Sequence, residues 1–254
     1  MRISRLYTPA ELNTGKQIEL DDENAHYVRT VLRLKKDVEI ILFNGSAGEY
    51  LCSIIEVSRR AVVIDIKQWD NRSVESTLAV HLGLGISRGD RMDFSVQKVV
   101  ELGVNVITPL ITERCQVQFK GEKKSQRWIH WQKIIQHAAE QSGRTQLPDL
   151  LEINSLSAWV TQQQGLKVFL DPYAEHSLAD LERPTQVTLL VGPEGGFSDT
   201  ERTLAKAAGF IPVRMGARIL RTETAALAAL SAVQMLWGDF GTAKKSDDQC
   251  INVE

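Results

Sequence analysis

The sequence is short of the residues that build the common metal and nucleophile centres. Its three cysteines, Cys52, Cys115 and Cys250, stand far apart with no C-x-x-C spacing. That pattern suggests neither a disulfide framework nor a zinc site. The five histidines, His26, His81, His130, His137 and His176, are scattered. There is no H-E-x-x-H pair, no G-x-S-x-G elbow and no Walker loop, so no metal is expected. No apolar run approaches the roughly 18–20 residues of a membrane span. The opening MRISRLYTPAEL lacks the apolar core and cleavage site of a signal peptide. A soluble cytoplasmic protein is the expectation. Charge of neither sign dominates, with a formal net of −2 over 254 residues. This balance leaves room for RNA as a partner, because binding needs a local basic face rather than a high isoelectric point.

Patterning divides the chain. Residues 1 to about 70 read as mostly strand, with 38–43 followed by Asn44-Gly45, a strong hairpin signal. Further strands are expected at 50–57 and 61–66. One helix interrupts them, capped by Asp21 or Asp22 and running to about Leu32. It and its exit carry His26, Arg29, Arg33, Lys35 and Lys36, either a solvated basic face or a set of phosphate contacts. The polar stretch 71–77 marks a domain boundary. Beyond it strands and helices alternate: strands at 78–86, 104–112, 168–170, 187–191 and 211–214, helices at 91–102, from Ser125, from Ser198 and at about 223–240. Gly103 closes the first of these helices, and Ser198 with Glu201 forms a capping box. Pro109 requires an edge or a bulge in its strand. Trp128, Trp131, Ile134, Ile135 and Ala138 keep helical spacing. The alanine-rich last helix offers a close packing or dimer face. This alternation predicts an α/β domain with a mainly parallel sheet.

Two loops do not look like ordinary connectors. Gly192-Pro193-Glu194-Gly195-Gly196 leaves one strand, and 215–223 (MGARILRTE) leaves another. Gly-bearing loops at the carboxyl ends of strands are where an open α/β sheet binds its ligand. Gly195 and Gly196 permit positive φ or close backbone approach. Glu194 offers an acceptor for hydroxyls or an amine, and Arg218 and Arg221 add two cations. A rival, Gly83-Leu84-Gly85-Ile86-Ser87-Arg88-Gly89, superficially suggests a dinucleotide site but is spaced G-x-G-x-x-x-G, one residue too long. Lys98 and Glu101 can pair on one helix. Glu140-Gln141-Ser142-Gly143-Arg144 gathers an acid, an amide, a hydroxyl and a cation at a helix end.

Taken together, HYVRTVLRL at 26–34, SRGDRMDFSVQKVVELGV at 87–104, ITPLITERC at 107–115, AAEQSGR at 138–144, GPEGGFSDTE at 192–201 and MGARILRTETAAL at 215–227 resemble the RsmE family of ribosomal RNA uridine methyltransferases, of the SPOUT class. Met215 stands where members often carry Leu. The resemblance implies a PUA-like β-barrel RNA-binding domain (1–72), a SPOUT-type α/β domain with a carboxyl-terminal trefoil knot (73–243) and a disordered tail (244–254). It implies S-adenosyl-L-methionine as cofactor, a homodimer, and methylation of N3 of a uridine in 16S ribosomal RNA or the small ribosomal subunit. Ribose 2′-O-methylation and a non-catalytic RNA-binding or assembly role are the alternatives. Uracil N3 is a poor nucleophile until its proton is lost, so a base or an anion-stabilising cation is needed. Arg221 is the candidate for the anion, Glu223 or Glu140 for the proton. Arg5, Arg88 and Arg144, with Arg29 and Arg33, are candidate RNA contacts. The cofactor candidates are Leu170, Leu190, Gly192, Glu194, Gly196, Met215, Gly216, Leu220, Thr222 and Ala225.

Overall fold

Apolar alternation over the first seventy residues yields strands, and the longer apolar runs beyond them yield a parallel sheet. The computed structural model describes residues 3–116 and 121–241. They form two units that part between Glu75 and Ser76. Among the described residues, the first unit also takes in Ala139–Leu147, and the second comprises Ser76–Ala138 and residues 148–241. Cys250 and the expected disordered tail at 244–254 lie outside the described residues.

The first unit holds β1 (Ser4–Tyr7), β2 (Gln17–Glu19), α1 (Asp22–His26), β3 (Glu39–Phe43), β4 (Glu49–Val57) and β5 (Val62–Asp70). The sheet order is β1-β3-β4-β5-β2, with β1 parallel to β3 and the other neighbours antiparallel. Two register shifts between β4 and β5 mark bulges, which increase local twist. One face buries Leu6, Ile40, Leu42, Ile54, Ile64 and Ile66. Asp21 caps α1 by accepting from Asn24 N at 2.8 Å. The helical segment ends where expected but not as one α-helix: after His26 it continues as one π turn over Tyr27–Val31, capped by Leu32, and Arg33 then adopts φ 53°.

The second unit contains β6 (Ala79–Gly85), α2 (Asp90–Glu101), β7 (Val106–Ile111), α3 (Glu122–Ser142, whose last turn is assigned to the first unit), β8 (Asp149–Leu150), β9 (Asn154–Ser155), α4 (Leu156–Val160), β10 (Leu166–Leu170), β11 (Gln186–Val191), α5 (Asp199–Ala207), β12 (Ile211–Val213) and α6 (Thr222–Leu236). The strands run in the order β12-β10-β11-β6-β7-β8, with β9 also on β7, and every pairing is parallel. α4 and α5 pack on the face that carries Leu110, Phe169 and Leu190. α2 packs against α6, which also touches β11.

Three local expectations are refined. Pro109 lies inside β7, opposite the gap where β8 hands over to β9; the broken ladder there has no need of its missing N–H. α3 begins at Glu122, so Ser125 is inside the helix and does not cap it. Gly83 and Gly85 belong to β6 itself. A Cβ on Gly83 would lie 2.4 Å from the Trp159 ring, so packing accounts for the glycine that imitates a dinucleotide fingerprint. Among the described residues no helix is long and apolar enough to cross a membrane, and no cluster of three or more His, Cys, Asp or Glu could hold a metal ion.

Candidate active site

The carboxyl ends of β10, β11 and β12 surround a cavity of about 400 Å³. Its volume falls in the range of small-molecule sites. From β10 come Leu170, Asp171 and Pro172; from β11 and the loop after it, Val191 to Glu194, Gly196 and Phe197; from β12 and its loop, Val213 to Gly216 and Arg218 to Thr222, with Ala225 on α6.

Short-range chemistry holds each loop. Asp171 N donates to Val213 O at 2.9 Å and ties β10 to β12. In the second loop Gly196 N donates to Pro193 O at 2.8 Å, with Gly196 at φ 64°. The Ser198–Glu201 capping box forms as the sequence predicts, fixing where α5 begins. Glu201 is buried and uses its second oxygen to accept from Glu113 N at 2.8 Å. Arg114 Nη1 reaches Gly195 O at 3.1 Å, so the loop after β7 braces both the glycine turn and the start of α5. In the third loop Gly216 has φ 78°, and Arg221 takes the N-cap position of α6 with no side-chain cap.

All the sequence candidates for the cofactor meet at this cavity except Leu190. Leu190 is 1 % exposed and packs with Phe169, Phe197 and Phe210, because alternation along β11 turns it toward α4 and α5. Glu194 lines the cavity, but its Oε1 already accepts from Arg88 N at 3.2 Å and meets Arg91 Nη1 at 3.5 Å. Arg221 lines the cavity and is exposed. Glu223, in the first turn of α6, is outside the cavity lining but next to Thr222 in it, and its Oε2 is buried with no hydrogen-bond partner.

Candidates in the first unit need revision. Glu140 is buried there, with Oε1 accepting from Tyr7 N at 3.0 Å, and it is not part of the cavity lining. Arg144 is 4 % exposed and grips Glu75 through Nε at 3.2 Å and Nη2 at 2.5 Å. Arg5 is paired with Glu49, which also meets Arg72 at 3.2 Å. Arg5 and Arg144, the candidates for RNA contact, thus have their guanidiniums engaged by carboxylates, and Glu140, the candidate proton acceptor, is engaged by the Tyr7 backbone. Arg29 donates to Ser58 O and Arg59 O at 3.0 and 3.2 Å. Arg33 and Arg88 are exposed.

Asp171, Arg202 and Arg214 in the lining carried no local sequence signal that marked them, whereas Arg91 stands beside the basic, glycine-bearing stretch 83–89. The capping box does set the phase of α5 and places Arg202 one turn beyond Ser198. Outside the site, burial lowers the pKa of His81 to about 4, so its ring is neutral; Nε2 lies 2.8 Å from Thr108 Oγ1.

Residues 74–234 match the model of the RNA methyltransferase domain, and residues 20–67 that of the RNA methyltransferase PUA domain. Ribosomal RNA small subunit methyltransferase E from Buchnera aphidicola (strain Sg) is 38 % identical, over 94 % of this chain and 98 % of the relative. The Bacillus subtilis protein of the same name is 27 % identical over 91 % and 96 %. A methyltransferase from Legionella pneumophila, solved with bound S-adenosylmethionine, superposes with a TM-score of 0.92 at 42 % identity, covering 94 % of this chain and all of that one. The Neisseria gonorrhoeae ribosomal RNA small subunit methyltransferase E, also bound to S-adenosylmethionine, gives 0.89 at 37 % identity, with the same coverage. With a cavity built from three strand-end loops and relatives aligned along almost its whole length, this chain belongs to the ribosomal RNA small subunit methyltransferase E family.

Proposed function

We propose that the protein methylates N3 of a uridine in 16S ribosomal RNA of the small subunit, using S-adenosyl-L-methionine in the cavity at the ends of β10, β11 and β12. The observation that carries this is the cavity itself. Leu170, Val191, Leu220 and Ala225 give it apolar wall, while loop backbone and a few charged groups provide polar positions. An added Cβ at Gly196 or Gly216 would meet little, so the chain there is open to close approach by a ligand. These features suit a nucleoside with an amino-acid tail.

When bound, the cofactor supplies a methyl already activated by its sulfonium. The work left to the chain is to align the uridine and to manage the proton on N3. Glu223 is the proposed proton acceptor, since its buried Oε2 has no partner among the described residues. Arg221 is proposed to stabilise the anion developing on uracil O2 and O4. The methyl goes to N3, the N3 proton to the carboxylate, and S-adenosylhomocysteine leaves. Glu140 is not carried into this assignment, because it is buried in the other unit and already accepts from Tyr7 N. Exposed Arg88 is the proposed RNA contact in this unit, and Arg29 and Arg33 those of the other.

A homodimer is part of the proposal, supported by exposed Phe94 on α2 and Met235 and Leu236 on α6. So is the trefoil knot, supported by the position of β10 between β11 and β12, both of which follow it in sequence. The cytoplasm, where ribosomal subunits are made, is the proposed location.

The direct test is mass spectrometry of ribosomal RNA from cells with and without the protein. Loss of one N3-methyluridine supports the assignment; loss of a 2′-O-methyl nucleoside or an unchanged RNA refutes it. In purified protein, Arg221→Ala should slow methylation about 100-fold or more, as removal of one oxyanion donor does. Cofactor affinity, measured in parallel by calorimetry, separates this loss from any weakening of binding at a cavity that Arg221 also lines. Full methylation rate in that variant would remove Arg221 from the mechanism.

A further inference from the structure

Five arginines line the cavity, and four of them are loosely held. Arg214, Arg218 and Arg221 are exposed, and the Arg91 side chain is 49 % exposed at 3.5 Å from Glu194. Arg202 differs. Its side chain is 20 % exposed, Nη1 is paired with Asp171 Oδ2, and Nε donates to Phe197 O at 3.4 Å. Its guanidinium carbon lies 5.5 Å from the centre of the Tyr173 ring. Asp171 is itself fixed: 6 % exposed, Oδ1 accepting from Tyr173 N at 3.0 Å, backbone N bonded to Val213 O. One guanidinium therefore joins the ends of β10 and β11, and through Asp171 that of β12.

Both Asp171 oxygens are engaged, while Arg202 Nη2 has no partner among the described residues. A planar cation clamped on three sides loses little freedom when it binds, and its remaining edge suits a carboxylate. The exposed arginines are free to serve a larger anionic partner instead.

We propose that Arg202, positioned by Asp171, recognises the carboxylate of the cofactor's amino-acid tail. The proposal rests on reading the cavity as the S-adenosylmethionine site. The test uses S-adenosylmethionine and its decarboxylated analogue, which keeps the sulfonium and the amine, in calorimetric titrations of the full-length protein. The wild type should bind S-adenosylmethionine more tightly than the analogue. Arg202→Met should weaken S-adenosylmethionine about 10- to 100-fold, the range for a hydrogen bond to a charged group. It should leave the analogue within about twofold, which separates loss of a carboxylate contact from loss of the brace. Arg202→Lys should recover part of the preference, and it serves as the folded comparison if the Met variant is unstable. Equal weakening of both ligands in the variants overturns the proposal, because Arg202 would then only hold the loops. So does a wild type that does not distinguish the two ligands. A wild type that binds neither rejects the cavity reading and this assignment with it.

Discussion

Gly85→Ala is expected to damage the proposed cofactor cavity from inside the sheet. A Cβ at Gly85 would lie 2.5 Å from Pro193 N, 2.6 Å from Pro193 Cδ and 2.8 Å from Gly192 C. These are mostly backbone atoms, so relief comes only if β6 or the Gly192–Gly196 loop moves. Overpacking of this kind costs about 1–3 kcal/mol, or roughly 3–10 °C in Tm for a unit of this size. The moving loop carries Gly192, Glu194 and Gly196 of the cavity lining, so S-adenosylmethionine affinity should fall about tenfold, about 1.4 kcal/mol. Gly83→Ala is the matched control, two residues away on the same face of the same strand. The three atoms nearest its Cβ would all belong to the Trp159 ring, at 2.4–2.8 Å. It should lower Tm by a similar amount and leave affinity close to wild type. Thermal melts and calorimetric titration of both variants check this. If the two lose stability alike and Gly85→Ala binds cofactor normally, the close approach of β6 does not set the loop.

Two further outcomes follow from buried groups. Burial takes the His81 pKa from 6.5 to about 4, so the unfolded chain binds the extra proton first as pH falls. Stability from a neutral His81 is full above about pH 6.5 and drains away toward pH 4. After allowance for partial solvent screening the change is about 2 kcal/mol; urea melts at pH 7.5, 6 and 5 should show it in the wild type and not in His81→Asn. Arg144→Met leaves Glu75 without its partner and should destabilise by about 3–5 kcal/mol. Chemical denaturation checks the loss, and a change under 1 kcal/mol would show that the pair does not hold this region.

Much of the site was readable before any coordinates. The capping box at Ser198, the strand ends at Leu170 and Val191 and the two glycine loops are local signals, each set by residues within a few positions. Local physics fixed the elements and the cavity-facing loops for that reason. Finer detail escaped the local signals: α1 passes into a π turn before its expected end near Leu32, and Ser125 lies inside α3. Which charges meet was beyond sequence. Arg144 and Arg5 looked like surface cations, but Glu75 and Glu49, about 70 and 44 positions away, bury them. Leu190 points into the core because β11 alternates against packed helices, and Arg202 is held at the cavity by Asp171, 31 positions earlier. The sequence by itself determined the alternating α/β pattern, the caps and the two unusual loops. Only the tertiary structure decided that three strand ends enclose one cavity and which of the chain's many arginines face it, because parallel pairing brings together residues that no local spacing relates.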